Sequence, residues 1–297
     1  MIDINSINSH TVNGFYDKKT STISYVVYDN SSKKCAVIDS VLDFDYSSGS
    51  IEYTNANRII SFVKKTNLIV EWLIETHVHA DHLSASPYIQ KKLGGKIGIS
   101  NKISEIQNIF GKTFNAGTEF QRDGSQFDKL FKDGDEYNLG EIVCKVIHTP
   151  GHTPACTAHV IENSIFVGDT LFMPDIGSAR ADFPGGDARM LYKSIQKIFT
   201  YPDETKLFVC HDYPPETREV SWETTVGEQK LNNIHISNKT NEDEFVKIRE
   251  ERDKTLGMPE LIIPSIQVNM RAGNLPPAED NGSVYIKVPL NTIKNLV

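Results

Sequence analysis

Short apolar runs separated by polar turns dominate the first part of the chain and predict β-strands. Two β-branched runs at residues 22–28 and 35–39 flank a polar turn, a pattern typical of a hairpin. An amphipathic stripe then predicts a helix over residues 53–66, and the apolar run at 68–74 predicts a buried strand. The chain therefore begins with sheet strands and continues into strand–helix alternation.

The same alternation continues to about residue 255. Further helices are predicted over residues 84–92, 187–199, 216–230 and 241–255, and further strands over 96–99, 142–147, 157–161, 164–168 and 206–210. Residues 262–268 form an apolar run that predicts an extended segment. Strands interleaved with helices in both halves predict an α/β fold of the layered-sandwich type.

The composition is that of a globular protein with a large core: 297 residues, 39% hydrophobic and 24% charged. The net charge of −8 is spread along the chain, so a nucleic-acid partner is not expected. Residues 1–6 lack the basic and apolar regions of a signal peptide, and no apolar run is long enough to span a membrane. We therefore expect a cytoplasmic protein with no membrane partner and with reduced cysteines.

Histidines cluster in loops rather than on helices. Six of the nine follow directly after predicted strands, and residues 77–82 read His-Val-His-Ala-Asp-His. Three further segments of this kind are Pro150-Gly151-His152, Gly168-Asp169-Thr170 and His211-Asp212-Tyr213. Loops at strand ends are where layered α/β folds build their sites. Because clustered imidazoles and carboxylates need charge compensation, the four segments together predict a metal site.

In their order along the chain, these four segments resemble the metallo-β-lactamase superfamily. Residues 36–39, Ala-Val-Ile-Asp, resemble that family's early strand, which ends in an aspartate that braces the site. The resemblance implies an αββα sandwich with the metal in a cleft along one edge of the two sheets. In its hydrolytic branch, similar to glyoxalase II, it implies two zinc ions that activate water to attack a thioester or lactone. The implied ligands are then His77, His79 and His152 for one ion, Asp81, His82 and His211 for the other, and Asp169 between them.

Residues beyond the ligands favour a second arrangement with one Fe(II). The segment 171–183, Tyr-Pro at 201, His-Asp-Tyr at 211 and Asn-Met-Arg-Ala-Gly at 269 resemble the persulfide dioxygenases. Residues 250–271 resemble a bacterial subgroup labelled β-lactamase-like hydrolase. The resemblance implies one iron per chain, bound by His77, His152 and Asp169. It also implies oxidation of glutathione persulfide, or a related small persulfide, by O2 to sulfite and the thiol.

The remaining histidines and an adjacent tyrosine take supporting roles in this arrangement. The residues that would orient water and polarise the ligands, instead of binding a second ion, are His79, Asp81, His82 and His211. Tyr213 would donate a hydrogen bond to bound oxygen, or else only pack as a wall of the cleft. We therefore name His211 and Tyr213 as catalytic candidates.

Two arginines are candidates for binding the carboxylates of the substrate, because a planar guanidinium suits that group. They are Arg180 and Arg271. A structural salt bridge from Arg180 to Asp182 or Asp175 is the alternative for the first of them. Cys156 is either a redox-sensitive thiol or a buried structural cysteine.

The organisation predicted is one metallo-β-lactamase-like domain over residues 1–240, with a C-terminal helix and extended segment, 241–297, packed on it. An insertion at about residues 102–120 is expected near the cleft. The partners expected are a small persulfide and O2, and a homodimer or other homo-oligomer. The remaining alternative is a non-catalytic, sulfide-responsive metal-binding partner, which would not need an open coordination site.

Overall fold

The computed structural model describes residues 9–293, so the prediction made on residues 1–6 lies outside this range. The strands are β1 (His10–Asp17), β2 (Thr22–Asp29), β3 (Lys34–Ile38), β4 (Val41–Asp45), β5 (Ser50–Glu52), β6 (Ile69–Ile74), β7 (Leu83–Ser84), β8 (Lys96–Ser100), β9 (Lys129–Phe131), β10 (Glu136–Leu139), β11 (Ile142–His148), β12 (Thr157–Ile161), β13 (Ser164–Phe166), β14 (Lys206–Phe208) and β15 (Glu223–Thr225). The helices are α1 (Thr54–Lys65), α2 (Ser86–Leu93), α3 (Ile103–Thr113), α4 (Ala188–Phe199), α5 (Val226–Asn232), α6 (Glu242–Asp253) and α7 (Ile262–Asn269).

Two six-stranded sheets form the centre of the molecule. The first has the order β1-β2-β3-β6-β8-β9, and the second the order β10-β11-β12-β13-β14-β15. In the first sheet the antiparallel strands β1 to β3 are followed by the parallel strands β6, β8 and β9. In the second sheet antiparallel pairing from β10 to β13 is followed by a parallel β13–β14 pair. A small third sheet has the order β5-β4-β7.

Alternating side chains divide the interior into three cores. Ile23 and Val27 of β2 pack in a cluster with Val146 of β11, in the other large sheet. Val26, which lies between them in sequence, packs instead in a cluster with residues of α1, α2, α3 and α7. A third cluster joins the second sheet to α4, with Phe245 of α6. The four layers are therefore helix, sheet, sheet and helix, and the predicted αββα sandwich is confirmed.

Most predicted elements are confirmed to within a few residues, and capping explains where two helices begin. The predicted hairpin is β2–β3, and the predicted helices at 53–66, 187–199 and 241–255 are α1, α4 and α6. The Asp187 carboxylate accepts the backbone N–H of Met190 at the start of α4. Asn241 and Glu244 form a reciprocal capping box at the start of α6.

The predicted helix over residues 216–230 is wrong in its first half. Residues 216–222 are irregular, and Arg218 in this stretch binds the carboxylates of Asp175 and Asp212. The strand β15 follows, and the helix α5 begins only after Thr225, whose hydroxyl accepts the Glu228 N–H at 3.1 Å. Tertiary ion pairing therefore overrides the local helical pattern here.

The predicted extended segment at residues 262–268 is also wrong, because these residues form the helix α7. Pro264 lies in the first turn, where a helix tolerates the missing N–H. Most of the helix is buried, including its polar residues Ser265, Gln267 and Asn269. Without a solvent-facing polar side, the sequence has no helical period to detect.

Both helices of the C-terminal segment pack on the sandwich. Phe245 of α6 lies in the core with Leu191 of α4, and Ile266 of α7 lies in the core with Ile89 of α2. The division of the chain at residue 240 stays a prediction. Most of the predicted insertion is the helix α3, which packs in the same core as α7. Within residues 9–293, no helix combines the length and apolar character that a bilayer crossing requires.

Candidate metal centre

Loops after four strands bring the predicted ligands together. Strands β11, β13 and β14 run in the same direction, because β12 is antiparallel to its neighbours and the β13–β14 pair is parallel. The loops after them carry His152, Asp169 and His211, and the loop after β6 in the first sheet carries residues 77–82. The ligands are therefore held close to strands of the core, which is how α/β folds build sites on rigid supports.

His77, His152 and Asp169 converge at a buried point. The Nε2 atoms of His77 and His152 lie 3.9 and 3.7 Å from Oδ2 of Asp169. The three residues are 1%, 4% and 7% exposed, in that order. One candidate donor atom from each lies within 4.8 Å of the other two. Two imidazoles and one carboxylate at this spacing form a donor set that one ion can occupy.

Hydrogen bonds fix which nitrogen of each imidazole is free. Nδ1 of His152 lies 2.8 Å from the carbonyl oxygen of Arg180, which can only accept, so Nδ1 donates there. Nδ1 of His77 lies 3.1 Å from the Thr76 hydroxyl, whose own proton is donated to Asp39 at 2.9 Å. Nδ1 of His77 is therefore a donor as well. Both rings are left with an unprotonated Nε2, the form that binds a metal ion.

Two buried donor atoms of this set make no hydrogen bond within the described residues. They are His77 Nε2, at the convergence point, and Asp169 Oδ1, which faces His211 Nε2 at 3.3 Å. Leaving such atoms unsatisfied costs free energy, so a buried pair of them needs an explanation. Burial, followed by the neighbouring His79, lowers the pKa of His77 well below its ordinary value and keeps the ring neutral. The neutral His77 imidazole and a free carboxylate oxygen fit a bound metal ion.

Glycine is required beside two of the ligands. Gly168, before Asp169, has a φ of +51°, and a Cβ there would lie 2.6 Å from the Thr76 hydroxyl. Gly151, before His152, has a φ of +140°, and a Cβ there would lie 2.3 Å from the backbone of Leu191. Both turns need positive φ and have no room for a side chain.

A second group of donors surrounds the other side of Asp169. Nε2 of His211 lies 3.3 Å from Asp169 Oδ1 and 3.5 Å from Asp81 Oδ2. Nδ1 of His82 lies 3.0 Å from the same Asp81 oxygen, and its Nε2 is buried without a partner in the described part of the chain. Although burial raises the pKa of Asp81, His211 and His82 hold it well below its ordinary value. This group can orient the first site or bind a second ion.

His79 is held by two buried carboxylates. Its Nε2 lies 2.9 Å from Asp39 and 3.6 Å from Glu75, while its Nδ1 has no partner among residues 9–293. Glu75 also accepts the hydroxyl protons of Ser84 and Ser86 at 2.6 and 2.5 Å. Burial, with the charge of Asp39, raises the pKa of Glu75 to about 7. Sequence reasoning missed Glu75, although a glutamate that follows a buried strand and precedes the histidine motif was a usable signal.

A cavity of about 620 Å³ opens beside the convergence point. Its wall residues from the predicted site are Asp81, His152, Asp169, Arg180, His211 and Tyr213. The ring of Tyr213 stacks on that of His211 with centroids 5.9 Å apart, and Tyr213 is 48% exposed. The structure therefore brings both catalytic candidates to the cleft, with Tyr213 at its open side.

The two candidate arginines differ in position. Arg180 lines the cleft, but its guanidinium donates to both oxygens of Asp182, at 2.6 and 2.7 Å, and to the Gly257 carbonyl at 2.7 Å. Its side chain therefore makes the structural salt bridge that was the alternative prediction. Arg271 lies over the ring of Phe120 at 4.3 Å and lines a separate cavity. The structure does not bring Arg271 to the metal cleft, because the turn after α7 directs it toward the insertion.

Cys156 is a buried thiol, 2% exposed, 3.1 Å from the Thr153 hydroxyl. Burial raises its pKa to about 12. A thiol of this kind stays protonated and is a poor nucleophile, so the structural interpretation of Cys156 is favoured over the redox-sensitive one.

The layered αββα fold, with metal-donor residues on the loops after its strands, is characteristic of one class of metalloproteins. The family model described as the metallo-beta-lactamase superfamily matches residues 19–211. The chain belongs to this superfamily. That range includes all the predicted ligands from His77 to His211 and ends before α6 and α7.

Individual relatives carry two kinds of name. "Probable metallo-hydrolase" of Burkholderia pseudomallei (strain 1710b) is 51% identical over 293 residues, 95% of this chain and 100% of the relative. "Glyoxylase B2" of Dictyostelium discoideum is 46% identical over 289 residues, 97% of this chain and 99% of the relative. Mitochondrial "Persulfide dioxygenase ETHE1" of Bos taurus is 28% identical over 277 residues, 90% of this chain and 93% of the relative.

Among solved structures, ETHE1 from Myxococcus xanthus superposes with a TM-score of 0.70 at 27% identity. The match covers 89% of this chain and 100% of that chain. This chain is therefore similar to proteins named as a metallo-hydrolase, as a glyoxylase and as ETHE1.

Proposed function

We propose that this protein is an iron-dependent persulfide dioxygenase. The observation that carries the proposal is the buried set of His77, His152 and Asp169, two imidazoles and one carboxylate with one donor atom each within 4.8 Å of the others. This is the donor set of non-haem Fe(II) oxygenases, which keep coordination positions open for their reactants. The similarity to ETHE1 over 89% of the chain supports the same assignment.

The chain's own residues prepare this set for Fe(II). The Arg180 carbonyl and the Thr76 hydroxyl hold protons on Nδ1 of His152 and His77, so both Nε2 lone pairs stay available. Asp39 fixes Thr76 through its backbone N–H and its hydroxyl, at 2.8 and 2.9 Å. When bound, the iron supplies the redox chemistry by which O2 oxidises a persulfide sulfur.

The proposed substrate is the persulfide of a small thiol such as glutathione. One persulfide, one O2 and one water give one thiol, one sulfite and two protons. The sulfur–sulfur bond breaks, the outer sulfur is oxidised and O2 is reduced. The cavity of about 620 Å³ is of the size that binds small molecules. Lys19 and Arg252 at its wall suit the carboxylates of such a thiol.

A dinuclear hydrolase is the second candidate. The observation that favours it is the group of Asp81, His82 and His211 around Asp169, with His82 Nε2 buried and without a partner in the described residues. The relatives at 51% and 46% identity, named as a metallo-hydrolase and a glyoxylase, support this alternative. In that case two ions would activate a water for attack on a thioester or lactone.

Metal content and oxygen uptake separate the two candidates. The protein is prepared anaerobically, loaded with Fe(II) and freed of excess metal, and the metal per chain is measured. We expect about one iron per chain and, on glutathione persulfide, about one O2 consumed for each sulfite released, as the balance above requires.

The matched control is protein loaded with zinc, which we expect to consume no O2 and to hydrolyse S-lactoylglutathione negligibly. Two ions per chain together with efficient thioester hydrolysis and no oxygen uptake would establish the hydrolase instead. Absence of turnover on both substrates by fully loaded protein would favour the non-catalytic alternative.

A further inference from the structure

One buried side chain of α7 joins the C-terminal segment to the histidine motif. Asn269, 5% exposed, donates from its amide nitrogen to the carbonyl oxygens of His79 and His82, at 2.9 and 2.8 Å. Its amide oxygen accepts the backbone N–H of Ser84 at 2.8 Å. Both amide hydrogens and the amide oxygen are therefore used on a single loop, 185 or more residues away in sequence.

These bonds hold the backbone of the second half of the loop, where the other supports are the pairing of β7 with β4 and a Thr22 hydrogen bond to the Asp81 side chain. Asp39 fixes the first half through the N–H of Thr76 and the ring of His79. Beyond His79 the backbone turns through residues 80–82 before the short strand β7 begins at Leu83. Within the described residues, the bonds to Asn269 are the side-chain hydrogen bonds that restrain the backbone from His79 to Ser84. Asp81 and His82 take their positions from this backbone.

We infer that Asn269 is a positioning residue that fixes the His77–His82 loop in the geometry that binds metal. This inference rests on the metal centre, which both candidate functions share, and not on whether the reaction is oxidative or hydrolytic. The bonds to backbone carbonyls set the loop's path, and the path sets where its imidazoles and carboxylate point. Such outer hydrogen bonds typically change metal affinity by about 10–100-fold when they are removed.

No other side chain satisfies the three groups in the same way. Aspartate at position 269 has the same shape but no amide hydrogens, so its charge would face two carbonyl oxygens. Alanine would leave two carbonyls and one N–H buried without partners. Glutamine keeps both donors and the acceptor but is one methylene longer, so it would displace the loop without unmaking every bond.

The test compares Asn269 with a second buried amide of the same helix. Gln267, 3% exposed, also makes three hydrogen bonds, to the carbonyls of Ile263 and Lys287 and from the Lys287 N–H. None of these partners lies in the metal loop. Gln267→Ala therefore removes the same kind and number of bonds from α7 and serves as the matched control for Asn269→Ala.

Co(II) is the probe, because its visible spectrum reports coordination geometry and needs no turnover. The full-length metal-free protein is titrated with Co(II) against a competing chelator, and the thermal midpoint of each metal-free variant is measured separately. We expect Asn269→Ala and Asn269→Asp to bind Co(II) about 10–100-fold more weakly with an altered visible spectrum. Gln267→Ala is expected to lower the thermal midpoint and to keep the wild-type affinity and spectrum.

Asn269→Gln carries the test if the alanine and aspartate variants do not fold. It is expected to fold and to bind Co(II) more weakly than wild type does, but without complete loss of binding. Wild-type Co(II) affinity in any folded Asn269 variant would overturn the inference. Equal losses of affinity in Asn269→Ala and Gln267→Ala would also overturn it, because the effect would then be general destabilisation.

Discussion

At the scale of single residues, the partners of each histidine distinguish a ligand from its neighbours. His152 has its Nδ1 proton fixed by the Arg180 carbonyl at 2.8 Å, so its Nε2 is free. His211 has its Nε2 between two carboxylates, 3.3 Å from Asp169 and 3.5 Å from Asp81, and its Nδ1 makes only a 3.4 Å contact with Thr22. Under the proposed single-iron assignment, His152 would be a ligand and His211 would act on the site through the carboxylates.

Alanine substitutions at these two histidines should have different effects on metal content. His152→Ala removes one of three donors and is expected to reduce iron to near zero per chain, with loss of activity. His211→Ala leaves all three donors and is expected to retain about one iron per chain while turnover falls. Metal analysis of anaerobically loaded protein, together with sulfite release, measures both.

The dinuclear alternative predicts another pattern for the same two proteins. Wild type would carry two ions, and His211→Ala would lose the second of them, so its metal content would fall toward half. That result would contradict the single-iron assignment.

At the scale of elements, features with a signal in one contiguous stretch of sequence could be predicted. Features that depend on contacts between distant residues could not. Helix α6 has a capping box and mixed charges, so its bounds were predicted closely. Helix α7 is buried nearly all round and has no periodic signal, so it was predicted as extended. A metal site could be predicted because residues 77–82 place four candidate donor side chains, three histidines and one aspartate, in one short segment. Glu75 had a local signal, because it follows a buried strand and precedes the histidine motif, whereas the contacts of Asn269 depend on tertiary packing that no local pattern contains.

The segment between α6 and α7 forms one wall of the cleft, and Arg180 holds it there. Arg180 bonds to Asp182 with two nitrogens and to the Gly257 carbonyl with the third. Lysine has one nitrogen instead of a planar fork of three, so it cannot span both Asp182 oxygens and the Gly257 carbonyl, and Arg180→Lys should loosen this wall. We expect KM to rise about tenfold, equivalent to about 1.4 kcal/mol of binding, with kcat less changed and metal content unchanged.

Arg189→Lys is the matched control for Arg180→Lys. Arg189 is likewise an arginine bound through its guanidinium, here to the two carboxylates of Glu242 and Asp243, but it lies on the surface at the start of α4. Steady-state kinetics of this variant should equal those of wild type. A fall in kcat at constant KM for Arg180→Lys would mean that Arg180 acts on the reacting atoms instead.

At the scale of the whole molecule, the two sheets enclose a core that includes a histidine outside the predicted metal-binding set. His159 of β12 is fully buried, and its Nδ1 lies 3.1 Å from the Tyr137 hydroxyl. Its ring packs edge-on against Phe131, with centroids 5.4 Å apart. Because no carboxylate lies within salt-bridge distance in the described structure, burial lowers the pKa of His159 to about 4.

This lowered pKa predicts a stability loss on acidification. Between pH 6.5 and 4 the unfolded chain binds a proton at this histidine, with an ordinary pKa of 6.5, and the folded chain does not. The free energy of unfolding therefore falls as the pH decreases through this window, by at most about 1.4 kcal/mol per pH unit from this group.

His159→Gln keeps a polar partner for Tyr137 but cannot titrate. In urea titrations of the metal-free proteins, the variant should lose less stability than wild type between pH 6.5 and 5, by on the order of 1–2 kcal/mol. Wild type and the variant share all other histidines, so these contribute equally to both pH dependences. If the free energy of unfolding had the same pH dependence in both proteins, His159 would be protonated in the folded core. The space between the sheets would then accommodate a charge.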